Sequence, residues 1–341
     1  QVKNFNRIIG IMKNTNLFLL VFLLNAVLLI GQNTLIRKPA ISPDGSQMAF
    51  GYHGDIWVHN FSTKLSKRLT VHQAYESNPI WNSKGDRLAF TSERKGGVNI
   101  FTTSVNGGIP KQLTYYPASD VPSQWNNSGE ILFTTSRIHR GPEWESEIYN
   151  VNEKGGTPNR FMTAFGSQAS ISPNGKWVAF VKGACRISRE DYNGPAQRDI
   201  WVYNLKTQEY YQITTSKKND HSPKWDANNN LYYIGAESGR YNIYKTSLNV
   251  NGSASGKTSK LTKFNRDGVL AYSVSNNGTI VFNSGINVYK MQGSNLKKLN
   301  LNIATDNRFD LEETKTVSNG IREVSVSPNG KMIAFSINGE V

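Results

Sequence analysis

One ten-residue phrase, written repeatedly, constrains this chain more than any other feature. Residues 41–50 read ISPDGSQMAF and residues 171–180 read ISPNGKWVAF. In the first copy, Pro43-Asp44-Gly45 is turn chemistry: proline presets the first turn φ, aspartate bonds nearby backbone, and glycine accepts a positive φ. The apolar run Met48-Ala49-Phe50 follows, so the phrase reads as strand, tight turn, strand. A single hairpin cannot bury its own apolar face, whereas a stack of them can.

Looser copies lie at residues 81–90, 125–133, 225–234, 274–282 and 326–335. The copies close on Phe50, Phe90, Phe133, Phe180, Ile234, Phe282 and Phe335, in steps of 40 to 54 residues. A second motif follows each of the first six: polar, β-branched, aromatic, as in Asp55-Ile56-Trp57, Asn99-Ile100-Phe101, Glu147-Ile148-Tyr149, Asp199-Ile200-Trp201, Asn242-Ile243-Tyr244 and Asn287-Val288-Tyr289. A third motif ends most units: Arg68-Leu69-Thr70, Gln112-Leu113-Thr114, Gln212-Ile213-Thr214 and Lys260-Leu261-Thr262, with Phe161-Met162-Thr163 and Lys298-Leu299-Asn300 as looser forms. Four short strands per unit at this period predict an all-β fold, a six-bladed β-propeller of four-stranded antiparallel blades. Small beside large apolar residues (Ala49 by Phe50, Ala179 by Phe180) suit sheets packed on both faces. Three motifs in fixed order argue against a β-sandwich with accidental similarity.

The ends of the chain read differently. Met12-Lys13 precedes an apolar stretch over residues 17–30, and Gly31 follows. Residues 12–31 are expected to be a secretory signal peptide, with residues 1–11 upstream of the true start. Fourteen residues are short for a membrane span, so no stable span is expected, although an uncleaved anchor is the alternative reading because Leu29 and Gly31 make a poor cleavage site. The propeller is assigned to residues 32–320. The seventh copy stops at Gly339-Glu340-Val341, where its aromatic motif is due, so residues 321–341 are expected to be the truncated first blade of a second propeller.

No catalytic, cofactor-binding or metal-binding constellation is legible, and no cofactor is expected. There is no Gly-x-Ser-x-Gly elbow, no phosphate loop and no His-Glu-x-x-His. Cys185 is the only cysteine, which excludes an intrachain disulfide and reads as a small buried hydrophobe. The five histidines, His53, His59, His72, His139 and His221, read as loop or surface residues. The net charge is +14, yet no basic run exceeds two residues, which argues for a solvated surface and against nucleic acid.

Two long loops break the repeat, both between the second and third strands of a blade and hence on one propeller face: residues 136–145 and residues 185–198. Both are rich in arginine, acidic and aromatic side chains. Their candidate peptide- or partner-contact residues are Arg140, Glu143 and Trp144 in the first, and Arg186, Arg189, Glu190, Tyr192 and Arg198 in the second. The competing reading is that these side chains pair among themselves and close gaps between blades.

The repeated Ser-Pro-Asp/Asn-Gly turn, the terminal Ala-Phe and the following Asp-Ile-Trp resemble the TolB-type propeller repeat. More narrowly, Arg189-Glu190-Asp191-Tyr192-Asn193-Gly194-Pro195 leading into Arg198-Asp199-Ile200-Trp201 resembles the fourth-blade insertion of tricorn-protease-like proteins. Residues 322–331 with Ile333-Ala334-Phe335 resemble the opening of that family's second propeller. The resemblance implies an N-terminal propeller that gates or channels peptides, or unfolded protein substrates, toward a serine peptidase core of the carboxyl-terminal-processing type. That core lies outside these residues, so no catalytic residue carries over. It further implies partners in the chain's own downstream domains and a possible homo-oligomer, and the leader implies an exported, periplasmic member. Two rivals remain open: a stand-alone TolB-like periplasmic scaffold that binds proteins, and the propeller of a prolyl-oligopeptidase-type hydrolase.

Overall fold

The computed structural model describes residues 35–137, 145–301, 303, 316 and 319–337. The leader segment and the first insertion's Arg140, Glu143 and Trp144 lie outside the described residues. Two compact units divide the chain at Ile303 and Ala304.

The first unit is a six-bladed propeller of four-stranded antiparallel sheets, and no described residue is helical. Blade 1 uses Arg37–Ile41, Gln47–Tyr52, Asp55–Asn60 and Ser66–Arg68; blade 2 uses Glu76–Trp81, Arg87–Ser92, Asn99–Ser104 and Lys111–Gln112. Blade 3 uses Val121–Trp125, Glu130–Thr135, Glu147–Asn152 and Asn159–Arg160; blade 4 uses Ser167–Ile171, Trp177–Lys182, Asp199–Asn204 and Tyr210–Gln212. Blade 5 uses Asp220–Trp225, Leu231–Gly235, Asn242–Thr246 and Ser259–Lys260; blade 6 uses Val269–Val274, Ile280–Ser284, Asn287–Gln292 and Asn295–Leu299. Each blade is built from consecutive strands, and among the described residues no blade shares a strand between the two ends of the chain.

The three motifs now have physical jobs. The repeated phrase is the first hairpin of each blade. Gly45 and Gly175 sit at φ +79° and +68°, where any Cβ is strained, and Gly45 N–H donates to Ser42 O at 2.9 Å. In blade 5, Asn229 takes the same role at φ +58°. The apolar run after the turn alternates between neighbours: Met48 and Phe50 pack with Val281 and Val288 of blade 6, whereas Ala49 packs with Trp81, Leu88 and Phe90 of blade 2. Blade 4 repeats this division, with Phe180 toward blade 3 and Ala179 toward blade 5. Period-two side chains thus give each middle strand a large face and a small face.

The closing Leu-Thr motif is a clasp. Thr70, Thr114, Thr214 and Thr262 each accept, through Oγ1, the N–H of the isoleucine second in the third strand (Ile56, Ile100, Ile200 and Ile243) at 2.9–3.0 Å. The short fourth strand is thereby tied to the blade where its ladder runs out. The polar residue that precedes that isoleucine joins the clasp: Asn242 Oδ1 accepts from Thr262 Oγ1 and Phe264 N–H.

The second unit contains an antiparallel hairpin of Ile321–Val326 and Ile333–Ile337. It carries the same turn, with Gly330 at φ +67° and its N–H bonded to Ser327 O.

Candidate functional site: the central channel and its rim

The first strands of all six blades surround a central cavity of about 640 Å³. These strands are irregular. Lys38, Asn78, Gln168 and Ser222 stand at φ +50° to +58°, each at a register break in the pairing of its blade's first two strands. Bulges of this kind twist a strand and re-aim the side chain at the break, and all four residues line the cavity. Proline follows in three cases, Pro39, Pro79 and Pro223, and removes the N–H that an interrupted ladder would leave unpaired. In the sequence the signal is a repeated x-Pro step shortly before Ile41, Trp81 and Trp225, which none of the three blade motifs includes.

Polar links join adjacent inner strands around the channel. Trp81 Nε1 donates to Ala40 O at 2.8 Å, Trp225 Nε1 to Ser170 O at 2.9 Å, Tyr272 Oη to Ser222 O at 2.8 Å and Ser123 Oγ to Ala169 O at 2.7 Å. The wall is therefore a set of mutually braced strands.

Charge in the channel is one-sided. Lys38 and Lys224 both line it. Encirclement by protein lowers both ammonium pKa values, and the charge of Lys38 adds to the effect at Lys224, which falls to about 8. Lys38 nonetheless remains open to channel water. Asp226 also borders the cavity, but its carboxylate is held by Asn230, by Tyr232 Oη at 3.0 Å and by Lys245 Nζ at 3.7 Å. Beside the wall, His221 is buried, and burial followed by the charges of Arg198 and Lys38 depresses its pKa to about 3. It is a neutral ring, with Nδ1 against Ser222 Oγ at 2.9 Å and its plane edge-on to Tyr241. His221 and His59 are core residues, 1% and 5% exposed. That corrects the surface reading: each sits on a strand where residues of both alternating sets are buried.

The insertion of residues 185–198 is folded as a series of turns and lies against blade 5. Glu190 Oε2 accepts Tyr241 N–H at 3.1 Å and its other oxygen faces Arg240; Tyr241 Oη donates to Ile187 O at 2.7 Å. Asp191 pairs with Lys218 at 2.6 Å, and Asn219 Nδ2 donates to Arg189 O at 2.5 Å. Arg198 turns inward and donates to Cys185 O. Cys185 is buried, as its composition-based reading holds. Among the five candidates described here, Glu190 and Arg198 are engaged in these internal contacts. Arg186 and Arg189 are exposed, with Arg189 stacked over the half-buried Tyr192 at 4.5 Å.

Beneath the insertion lies a carboxyl pair that no motif announced. In blades 2 and 3, the acid at the head of the first strand meets an arginine from the loop after the second strand: Glu76 with Arg94, and Asp120 with Arg137. In blade 5 that loop carries Glu237 instead. Asp220 is consequently pushed up to about 7, first by burial and further by Asp199 and Glu237, against hydrogen bonds from Thr214 and Ser216. Burial raises Asp199 to about 6.

Comparison with known proteins agrees with this architecture. The tricorn protease of Thermoplasma volcanium is 22% identical over 342 residues, an alignment covering 89% of this chain and 30% of that protein. The Tol-Pal system protein TolB of Francisella tularensis is 26% identical over 204 residues, covering 56% of this chain and 44% of TolB. The crystal structure of the tricorn protease superposes with a TM-score of 0.68 at 17% identity, over 89% of this chain and 29% of that one. The chain thus spans less than half the length of these curated relatives. The family model described as the tricorn protease N-terminal beta propeller domain matches residues 33–297. The chain belongs to the tricorn protease N-terminal beta propeller family.

Proposed function

We propose that this chain is the N-terminal propeller of an exported tricorn-like serine peptidase, and that it gates or channels peptides. One observation carries the reading: a braced channel of about 640 Å³ whose wall is bulged in four blades so that polar side chains face the lumen. The exposed face of the fourth-blade insertion, Arg186, Arg189 and Tyr192, is the rim that meets peptide or partner. The hairpin of residues 321–337 supports a second propeller. It repeats the blade turn at Gly330 and the bulge at Glu323, φ +54°, and it presents Ile333 and Phe335 to solvent, where the blade equivalents are buried.

TolB similarity over more than half of the chain favours the second reading, a periplasmic protein-binding scaffold. Among the described residues no helix is long and apolar enough to cross a membrane. Sequencing the gene past Val341 separates the readings. A second propeller, a PDZ-like segment and a serine peptidase core support the first. A stop soon after residue 341 supports the second, and a downstream Gly-x-Ser-x-Gly supports the prolyl-oligopeptidase rival. Peptide binding is tested by calorimetry on the chain itself, where micromolar binding of extended peptides is expected and its absence would count against the channel role.

A further inference from the structure

We infer that Lys38 and Lys224 form a carboxylate-recognition site inside the channel, which holds the acidic end or an acidic side chain of an extended peptide. The inference rests on the peptide-channel reading and adds the chemistry by which a peptide is held.

The first support is placement. Lys38 sits on the blade 1 bulge, φ +50°, and lines the cavity. Lys224 follows the blade 5 bulge at Ser222-Pro223 and lines the same cavity. The next residue, Trp225, packs into the seam between blades 4 and 5, so strand alternation turns Lys224 to the opposite side.

The second support is the missing counter-charge. Among the described residues neither ammonium has a hydrogen bond or an ion pair, and the one carboxylate on the cavity wall, Asp226, is already held by Asn230, Tyr232 and Lys245. The other charged and titratable groups nearby do not neutralise them, since His221 is uncharged and Arg198 is cationic. The charge of Lys38 lowers the pKa of both Lys224, which stands near 8 chiefly through burial, and His221. Two like charges kept together without a partner destabilise a fold, and a ligand carboxylate converts that repulsion into charge-assisted hydrogen bonds.

The test is calorimetry at neutral pH and low salt with three N-acetylated decapeptides of Gly, Ser and Ala: a free acid, a C-terminal amide, and an amide with one internal Glu. The free acid is expected to bind about tenfold or more tightly than the plain amide. That preference should fall within about twofold in the Lys38→Gln/Lys224→Gln double variant and survive in Lys224→Arg. Removing two mutually repelling charges should leave the thermal midpoint unchanged or raised, which checks folding independently. Tight binding of the Glu-containing amide would support the site with a side chain as the carboxylate source. Equal binding of acid and amide, or an acid preference that persists in the double variant, would overturn the inference while leaving the peptide channel intact. Binding of none of the three would overturn both.

Discussion

The seams between blades 4 and 5 and between blades 6 and 1 are built on opposite principles. The chain itself crosses the first, yet that seam is also laced by the insertion: Glu190 with Arg240 and Tyr241, Asp191 with Lys218, and Asn219 with Arg189 and Arg198. Among the described residues no strand crosses the second. Its closure rests on Ile36, Ile41, Met48, Phe50 and Trp57 packed against Val281 and Val288. To these are added Asn276 N–H bonded to Pro43 O at 2.9 Å and Lys290 over Phe61 at 3.8 Å. Polar bracing is therefore concentrated where the ring is already covalently continuous. The insertion is not what closes the ring; non-directional apolar packing holds the free seam.

Deleting side chains at the two kinds of seam should expose this contrast most strongly. Phe50→Ala, at a residue with no exposed surface, is expected to cost about 3–5 kcal/mol. Phe180→Ala, the same deletion at a seam the chain ties, should fall toward the lower end of that range. Chemical denaturation of both variants gives the comparison.

A pH series probes the braced seam. Asp220 titrates near 7 in the fold and near about 4 when unfolded. Between these values the folded state holds the extra proton, so stability falls as pH rises through the window and levels off above 7. Asp220→Asn should remove most of that fall, leaving the smaller contribution of Asp199. Thermal melts should show the variant more stable than the parent at pH 8, by about 2–4 kcal/mol, and no better at pH 4.

The turn glycines give a smaller and more local contrast. Gly45→Val and Gly175→Val both force a β-branched residue to positive φ, at a cost of about 1–3 kcal/mol. A Cβ on Gly45 also comes within 3.4 Å of Asn277 across the free seam, whereas the space around Gly175 is open, so Gly45→Val should melt lower. Smallest is Glu190→Ala, which removes one acceptor of Tyr241 N–H and a half-exposed ion pair, for about 1 kcal/mol.

Much of the fold was legible because each blade repeats its chemistry. The Ser-Pro-Asp/Asn-Gly turn, the Ala-Phe ending and the Leu-Thr clasp answer to local geometry, which a period in the sequence displays directly. The site was far less legible. Lys38 and Lys224 look like any surface lysine until six strands are drawn into a ring, since nothing along the chain distinguishes a polar residue facing bulk water from one facing a narrow lumen. The bulges left a trace in Lys38-Pro39, Asn78-Pro79 and Ser222-Pro223, but proline in a strand usually argues against a strand. His221 was misread because a ring that packs against it, Tyr241, is distant in sequence. The Asp220 anomaly appears only when blade 5 is compared with blades 2 and 3 at the position of Glu237.

Thiol labelling tests the contrast between the seams most directly, because Cys185, buried at the start of the insertion against Asn219, is a native reporter. Its reaction with an aromatic disulfide, scaled to the unfolded chain, should be compared with that of the thiol introduced by Val288→Cys in a Cys185→Ala background. Val288 is 3% exposed and Cys185 5%, so static accessibility does not separate them. Faster labelling at position 288 is the result this account predicts, with the free seam opening before the braced one. Equal or faster labelling of Cys185 would contradict it.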